Sequence, residues 1–181
     1  MNFPADGKKT TQAVARLIEK SGGKADYLRI IKLIYLADRD SIIKRGVPIV
    51  GGKYYSMQKG PVIGDVMDFV NQMNAPGWKE CITPRHGNYI QLLQAPDYGS
   101  LSTSELEILD AVVEEHLSQS TDDLVNWCHQ FCDEYEHVGW FRGRKDIVVE
   151  NILRAGGKTS ETIHRVIKDA QEIVELDKML V

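Results

Sequence analysis

The chain has 181 residues, of which 43% are hydrophobic and 27% charged, and its formal charge at pH 7 is −4. This ordinary globular composition excludes a disordered chain, and the length is enough to bury the core of one domain. No apolar run reaches the roughly 18 residues of a membrane span, and the first residues lack the pattern of a signal peptide, so we expect a cytoplasmic protein.

Two helices are predicted first. Apolar residues at helical spacing indicate a helix over residues 9–21 and a second over residues 25–45, which Gly46 ends. The centre of the second helix, residues 27–37, is apolar at nine of eleven positions, as is typical of a helix buried on most sides. We expect it to be the central helix of the core.

A small β element is predicted next. Residues 47–59 contain short β-prone pieces bounded by Gly and Pro, which indicates a strand or hairpin, and Gly51 suits a turn with positive φ. Gly60 and Pro61 then turn the chain. We predict Pro61 at the start of a third helix over residues 62–73, since the missing N–H of proline has no intrahelical partner there.

Two short strands forming a hairpin are predicted over residues 78–83 and 88–93. The patterns Ser-x-x-Glu at residues 102–105 and Ser-x-x-Asp at residues 120–123 are capping boxes, each of which predicts the start of a helix. The apolar stripes of these two helices are expected to face the core: Leu106, Leu109, Val113 and Leu117 in one, and Leu124, Trp127, Cys128 and Phe131 in the other.

A short helix over residues 146–153, a glycine break and a last long helix over residues 160–180 complete the chain. The order of elements predicts a mostly α, α+β fold: a compact helical domain around a central buried helix, with a small antiparallel β element and a long C-terminal helix. We expect one domain over residues 1–155 and a C-terminal helical extension over residues 156–181 that packs on it.

Lys32, Tyr35 and Asp38 are polar residues near one stripe of the apolar second helix. A lysine in such a helix either reaches outward to solvent or pairs with a carboxylate. One interpretation is that the three residues form the charged rim of a buried helix. The other is a polar cluster that organises the following glycine-rich loop or contacts a ligand.

Charge is distributed unevenly along the chain. Residues 97–136 contain eleven carboxylates and no Lys or Arg, whereas residues 16–46 contain eight basic and four acidic residues. One interpretation is a solvated helical face that the basic segment of the same fold balances. The other is an acidic docking surface for a basic partner, which would speed encounter and orient that partner.

No motif for catalysis, phosphate binding or metal binding stands out. The glycine-rich phosphate loops, the GxSxG elbow and the HExxH zinc helix are missing, and the five histidines are scattered. Cys81, Cys128 and Cys132 lack the usual zinc spacing, and although His129 and His137 lie near the last two, we expect buried reduced thiols. The sequence therefore predicts no catalytic residue, cofactor or metal.

Three short motifs follow one another: Lys-Leu-Ile-Tyr-Leu-Ala-Asp at residues 32–38, Gly-Val-Pro-Ile-Val-Gly at residues 46–51, and Gly-Pro-Val at residues 60–62. In this order and spacing, with the tyrosine pair before the last motif, they resemble the Panacea domain. This domain is also known as the SocA-like antitoxin domain, and some members were described as phage-associated GepA-like proteins. The residues that carry the resemblance are Lys32, Tyr35, Asp38, Gly46, Gly51, Tyr54, Gly60 and Pro61.

The resemblance implies a helical domain with a small sheet element that acts as the antitoxin of a type II toxin–antitoxin system. Members neutralise toxins of very different folds by direct protein contact, and the founding member also presents its toxin to a protease. Many members carry an added helix-turn-helix domain that represses their own operon. This chain has no spare length for one before Thr10, so we do not expect DNA binding.

A neutralising protein needs a contact surface, and aromatic and arginine residues dominate interface energies. The candidate toxin contacts are Tyr55, Trp78, Trp140, Phe141, Arg142 and Arg144. Two other classes remain open: a small cytoplasmic enzyme with a site around Lys32, Tyr35 and Asp38, and a DNA-binding operon regulator that uses basic residues 16–46. A homo-oligomer also remains open.

Overall fold

A computed structural model, which describes residues 2–139 and 143–179, shows eight helices and two small antiparallel sheets in that part of the chain. The helices are α1 (Gly7–Lys20), α2 (Tyr27–Arg45), α3 (Gly64–Gln72), α4 (Trp78–Cys81), α5 (Thr103–Glu115), α6 (Thr121–Phe131), α7 (Val149–Ala155) and α8 (Ser160–Met179). The strands are β1 (Lys24–Asp26), β2 (Tyr54–Met57), β3 (Gly60–Ile63), β4 (Tyr89–Gln91) and β5 (Lys145–Ile147). The predicted mostly α, α+β fold class is confirmed.

Helix α2 is the central helix of the core, as predicted. Asp26 caps its start by accepting hydrogen bonds from the N–H groups of Leu28 and Arg29, and Gly46 ends it with φ +79°. The helix contacts α1, α5, α6, α7 and β3, so its apolar residues are covered on several sides. It begins two residues later than predicted because residues 24–26 form β1, which pairs with β4.

The predicted β element is confirmed in part: β2 lies within residues 47–59, and its hairpin partner β3 follows directly. Strand β2 pairs with β3 on one side and with β5 on the other, with Tyr54 opposite both Ile63 and Ile147. The prediction that Pro61 starts a helix is wrong: Pro61 lies in β3, and α3 begins at Gly64. Proline is tolerated there because β3 is an edge strand, where a missing N–H breaks no second ladder.

Two further segments of the chain, residues 78–93 and residues 145–149, also differ from prediction. Residues 78–81 form the short helix α4 instead of a strand. The predicted hairpin is confirmed in part, because Ile82 and Leu92 form an antiparallel bridge, but β4 itself pairs with the distant β1. Residues 145–147 form β5, so the helix predicted to begin at residue 146 begins at Val149. Strands β4 and β5 thus pair with strands far away in the sequence.

Both capping boxes are confirmed, at Ser102 and Ser120. The inward placement of Leu117 and Phe131 is wrong, since these side chains are 62% and 49% exposed. Leu117 lies beyond the last residue of α5, and Phe131 is the last residue of α6, so neither continues the buried stripe of its helix.

Helix α8 packs on α7, and Ile163 near its start is buried in the core. The division between residues 1–155 and an extension over residues 156–181 stays a prediction. Among the described helices, none is both long and apolar enough to cross a membrane.

Candidate functional site

Lys32, Tyr35 and Asp38 lie one turn apart on α2, and each has an exposure of 0%. Each side chain bonds a different segment: Lys32 bonds β3, Tyr35 bonds the residues after α6, and Asp38 bonds the loop before β2. The interpretation of Lys32 as part of a charged rim is therefore wrong. The alternative, a polar cluster that organises the glycine-rich loop, matches the contacts of Asp38.

Asp38 holds the loop that joins α2 to β2. Its Oδ1 accepts hydrogen bonds from the N–H groups of Ile49 and Val50, both at 2.9 Å. Its Oδ2 accepts from the N–H of Gly51 at 3.0 Å and from the hydroxyl of Tyr54 at 2.9 Å. Burial raises the pKa of Asp38 to about 6, and the four donors counteract this rise. One carboxylate thus satisfies four donors that would otherwise be buried without a partner.

The same loop requires glycine at residue 51. Gly51 has φ +69°, as predicted, and a Cβ there would collide with the carbonyl oxygen of Pro4. The next N–H, that of Gly52, donates to the carbonyl of Phe3 at 3.0 Å. The loop is therefore clamped between the N-terminal segment on one side and Asp38 on the other.

Lys32 attaches the hairpin of β2 and β3 to α2. Its Nζ donates a hydrogen bond to the carbonyl oxygen of Pro61 at 2.7 Å, and burial lowers the pKa of Lys32 to about 8. Gly60 has φ +94°, and a Cβ there would lie 3.2 Å from both Lys32 Nζ and the ring of His129. His129 stacks on Tyr135 at 4.7 Å between ring centres. The motif residues Gly60 and Pro61 thus make room for the buried amine and accept its hydrogen bond.

Glu134 is the residue of this cluster that the sequence analysis did not identify. Its side chain is 0% exposed; its Oε1 accepts from the hydroxyl of Tyr35 at 2.6 Å and from Nε of Arg39 at 2.7 Å. Burial, followed by the nearby carboxylate of Glu134, raises the pKa of Tyr35 well above its ordinary value. The one sequence signal was complementary charge, since Glu134 lies in the acidic stretch and Arg39 in the basic one.

These contacts position a groove on the outer face of the β3–β2–β5 sheet. Side chains alternate along β2, so Tyr54 points into the core and Tyr55 lies on the other face. Tyr55, Met57 and Met67 line a cavity of about 260 Å³ together with Arg144. The guanidinium carbon of Arg144 lies 4.2 Å from the centre of the Tyr55 ring. The structure therefore brings together two of the candidate contact residues, of which Arg144 is exposed and Tyr55 is only 8% exposed.

The remaining candidate contact residues do not join this groove. Trp78 is 1% exposed and packs in the core, which contradicts its expected place at the surface. Trp140, Phe141 and Arg142 lie outside the described residues. The three cysteines are free and buried, as predicted, and no cluster of three or more metal-binding side chains occurs within residues 2–139 and 143–179.

Comparison with known proteins gives one match. Residues 30–134 match the family model described as the SocA-like antitoxin, Panacea domain. The match runs from α2 to Glu134, so it contains the buried contacts of α2 with the loop, with the hairpin and with Glu134 itself. No curated protein and no solved structure matches the chain. Because the match covers more than half of its residues, the chain belongs to the family of SocA-like antitoxins that carry the Panacea domain.

Proposed function

We propose that this protein is the antitoxin of a type II toxin–antitoxin pair and neutralises its toxin in the cytoplasm by direct protein contact. The observation that carries the proposal is the family match, over the segment in which Lys32, Tyr35 and Asp38 are all buried and bonded. These three side chains are engaged in holding the backbone in place. A protein that acts by contact benefits from such a scaffold, because a surface that is ordered before binding loses less conformational entropy when the partner docks.

We expect the groove of Tyr55, Met57, Met67 and Arg144 to receive part of the toxin. Tyrosine and arginine are enriched where interface energy concentrates, and flexible methionines adapt to different partners. The exposed guanidinium of Arg144 is available to a carboxylate of the partner.

The DNA-binding alternative is disfavoured by what the basic residues do. Each basic side chain of residues 16–46 already contacts a carboxylate, a carbonyl oxygen or an aromatic ring within the chain. They are Arg16, Lys20, Lys24, Arg29, Lys32, Arg39, Lys44 and Arg45. Phosphate binding would have to compete with these contacts.

The enzyme alternative would require Lys32, Tyr35 and Asp38 to reach a substrate. Their complete burial, and their bonds to three separate segments, disfavour a shared reaction centre. Turnover of a small compound by the purified protein would restore this alternative.

The test is co-expression with the product of the adjacent reading frame. We expect that product to arrest growth by itself, this protein to restore growth, and the two proteins to co-purify. Arg144→Ala should weaken the rescue, whereas Arg165→Ala, at an exposed arginine of α8, serves as the matched control. An adjacent product that is harmless, or that never binds this protein, would refute the proposal.

Two finer properties belong to the same proposal. If the protein also presents the toxin to a protease, the half-life of the toxin should fall when the protein is co-expressed. If it assembles as a homo-oligomer, its mass by light scattering should exceed that of one chain.

A further inference from the structure

Nine of the eleven carboxylates of residues 97–136 fall into an inner and an outer set; of the other two, Asp97 accepts a hydrogen bond from Gln12, and Glu136 pairs with Lys145. The inner set, Glu105, Asp110 and Glu134, forms ion pairs with basic side chains of α1 and α2. For these residues, the interpretation of an acidic stretch balanced by the basic segment matches the structure. It does not account for the outer set.

The outer set is exposed and forms no ion pair with any basic residue that the structure describes. Its members are Glu107, Glu114, Glu115, Asp122, Asp123 and Asp133. Since residues 97–136 contain no Lys or Arg, no cation of the same segment offsets this charge. Basic residues of other segments lie near two of these carboxylates, since Asp122 shares a cavity with Lys59 and Asp133 shares one with Arg154. The uncompensated negative charge is therefore that of Glu107, Glu114, Glu115 and Asp123, and it attracts cations and repels phosphates.

Two apolar side chains of this surface, Leu117 and Phe131, are exposed, and Trp127 beside Phe131 is partly buried against the core. Asp123, Trp127 and Phe131 follow one another at intervals of four residues and so share one stripe of α6. The rings of Trp127 and Phe131 lie 5.0 Å apart, and Phe131 is 49% exposed. The other side of Trp127 packs on His116 at 4.7 Å, and the next residue, Leu117, is 62% exposed.

The backbone beneath these side chains is held in place. Arg29 of α2 donates hydrogen bonds to the carbonyl oxygens of His116 at 2.6 Å and Gln119 at 2.7 Å. The capping box of Ser120 and Asp123 then fixes the start of α6. A surface that is ordered before binding loses less conformational entropy when a partner docks.

We infer that this α5–α6 face, formed by Glu114, Glu115, Leu117, Asp123, Trp127 and Phe131, binds a basic amphipathic segment of the toxin. The inference rests on the proposed function and adds the chemistry of the partner. Lysine or arginine side chains of that segment face the carboxylates, and an apolar side chain packs against Trp127 and Phe131.

A second copy of this chain has little to offer this face from its most basic helices, α1 and α2. The basic residues of α1 and α2 are already engaged within their own fold, so a second copy has few free cations to offer from these helices. A second copy would have to use exposed basic residues elsewhere, such as Arg144 or Arg165, and the dimer measurement below tests that case.

The experiment measures binding of the purified adjacent gene product to matched variants of this protein. Phe131→Ala should raise the Kd about 30-fold, the effect of removing one aromatic anchor. Reversing Glu114 and Glu115 to lysine together should slow association about tenfold at low salt, and less at high salt. Leu93→Ala and Glu80→Lys are the controls, because they change an exposed apolar residue and an exposed acid elsewhere.

Circular dichroism and thermal unfolding serve to check that each variant is folded, which we expect for changes at exposed positions. Reversing the basic residues of the toxin segment to glutamate should restore fast association with the doubly reversed variant. A wild type that binds and neutralises the adjacent product, while Phe131→Ala and the charge reversal leave its binding unchanged, would refute the assignment of the α5–α6 face as the binding site. The antitoxin proposal would then stand. If the wild type does not bind the adjacent product, both fail. A wild-type dimer that Phe131→Ala dissociates would assign the face to a second copy and overturn the inference.

Discussion

Replacing Asp38 with alanine tests whether one buried carboxylate holds the loop before β2. The change removes the acceptor of four hydrogen bonds, from three backbone N–H groups and the hydroxyl of Tyr54. A buried donor without a partner costs about 1–3 kcal/mol, so four at the lower end cost about 4 kcal/mol. This is a large part of the roughly 5–15 kcal/mol that stabilises a typical domain. Tyr54→Phe removes one donor and should cost about 1 kcal/mol.

The pH dependence separates the carboxylate of Asp38 from general packing. Its pKa is about 6 in the folded protein and about 3.9 in an unfolded chain. At a pH between these two pKa values, Asp38 holds a proton in the folded state that it has lost in the unfolded state. The free energy of unfolding therefore rises as the pH falls. The gain is about 1 kcal/mol between pH 7 and pH 5 and approaches about 3 kcal/mol below pH 4. Asp38→Ala lacks this gain.

Urea unfolding followed by circular dichroism, at pH 7 and pH 5, measures both effects. We expect the stability difference between wild type and Asp38→Ala to widen by about 1 kcal/mol at the lower pH. If Asp38→Ala does not fold, Tyr54→Phe provides the test. Loss of the hydrogen bond from its hydroxyl raises the pKa of Asp38 further, so the free energy of unfolding should depend more steeply on pH. A cost below about 1 kcal/mol for Asp38→Ala, or a difference that does not change with pH, would refute the reasoning.

Three further changes test other parts of the cluster. Gly51→Ala should lower the stability measured by thermal unfolding by more than about 2 kcal/mol, because the residue has positive φ and its Cβ would collide with the N-terminal segment. The control, Gly22→Ala, has positive φ but open space around it, so it should lower the stability by only about 1 kcal/mol. Glu134→Gln should cost about 3–5 kcal/mol in urea unfolding because it leaves the guanidinium of Arg39 partly buried without its carboxylate, and an unchanged midpoint would contradict this. The pKa of Lys32 is about 8 when folded and about 10.4 when unfolded, so stability should rise by up to about 3 kcal/mol as pH increases through this interval. Lys32→Met should abolish that rise in unfolding curves at pH 7.5 and 9.5.

The parts of the fold that were predictable depend on local interactions. The helix starts at Ser102 and Ser120 follow from side chains three residues apart, and the end of α2 follows from one glycine with positive φ. The apolar run of α2 predicted a helix covered on most sides, which its contacts confirm.

The wrong predictions depend on partners that are distant in the sequence. Strands β1 and β4, and β2 and β5, are separated by more than sixty residues, so neither pairing has a local signal. Pro61 was predicted to start a helix because the missing N–H of proline needs no partner at that position, but pairing with β2 places it in an edge strand. Trp78 was expected at the surface on residue type alone, and burial reversed that expectation.

The sequence by itself determined a mostly helical chain with α2 at its centre, and it pointed to the Panacea family through residues within one short segment. Periodicity, caps and glycine turns act over a few residues, so they can be deduced without a fold. Only the tertiary structure decided what the polar residues of α2 bond. Lys32 meets Pro61 across 29 residues and Tyr35 meets Glu134 across 99, and such contacts arise only when separate segments pack together. The same packing decided which carboxylates are paired inside the fold and which remain exposed on the α5–α6 face.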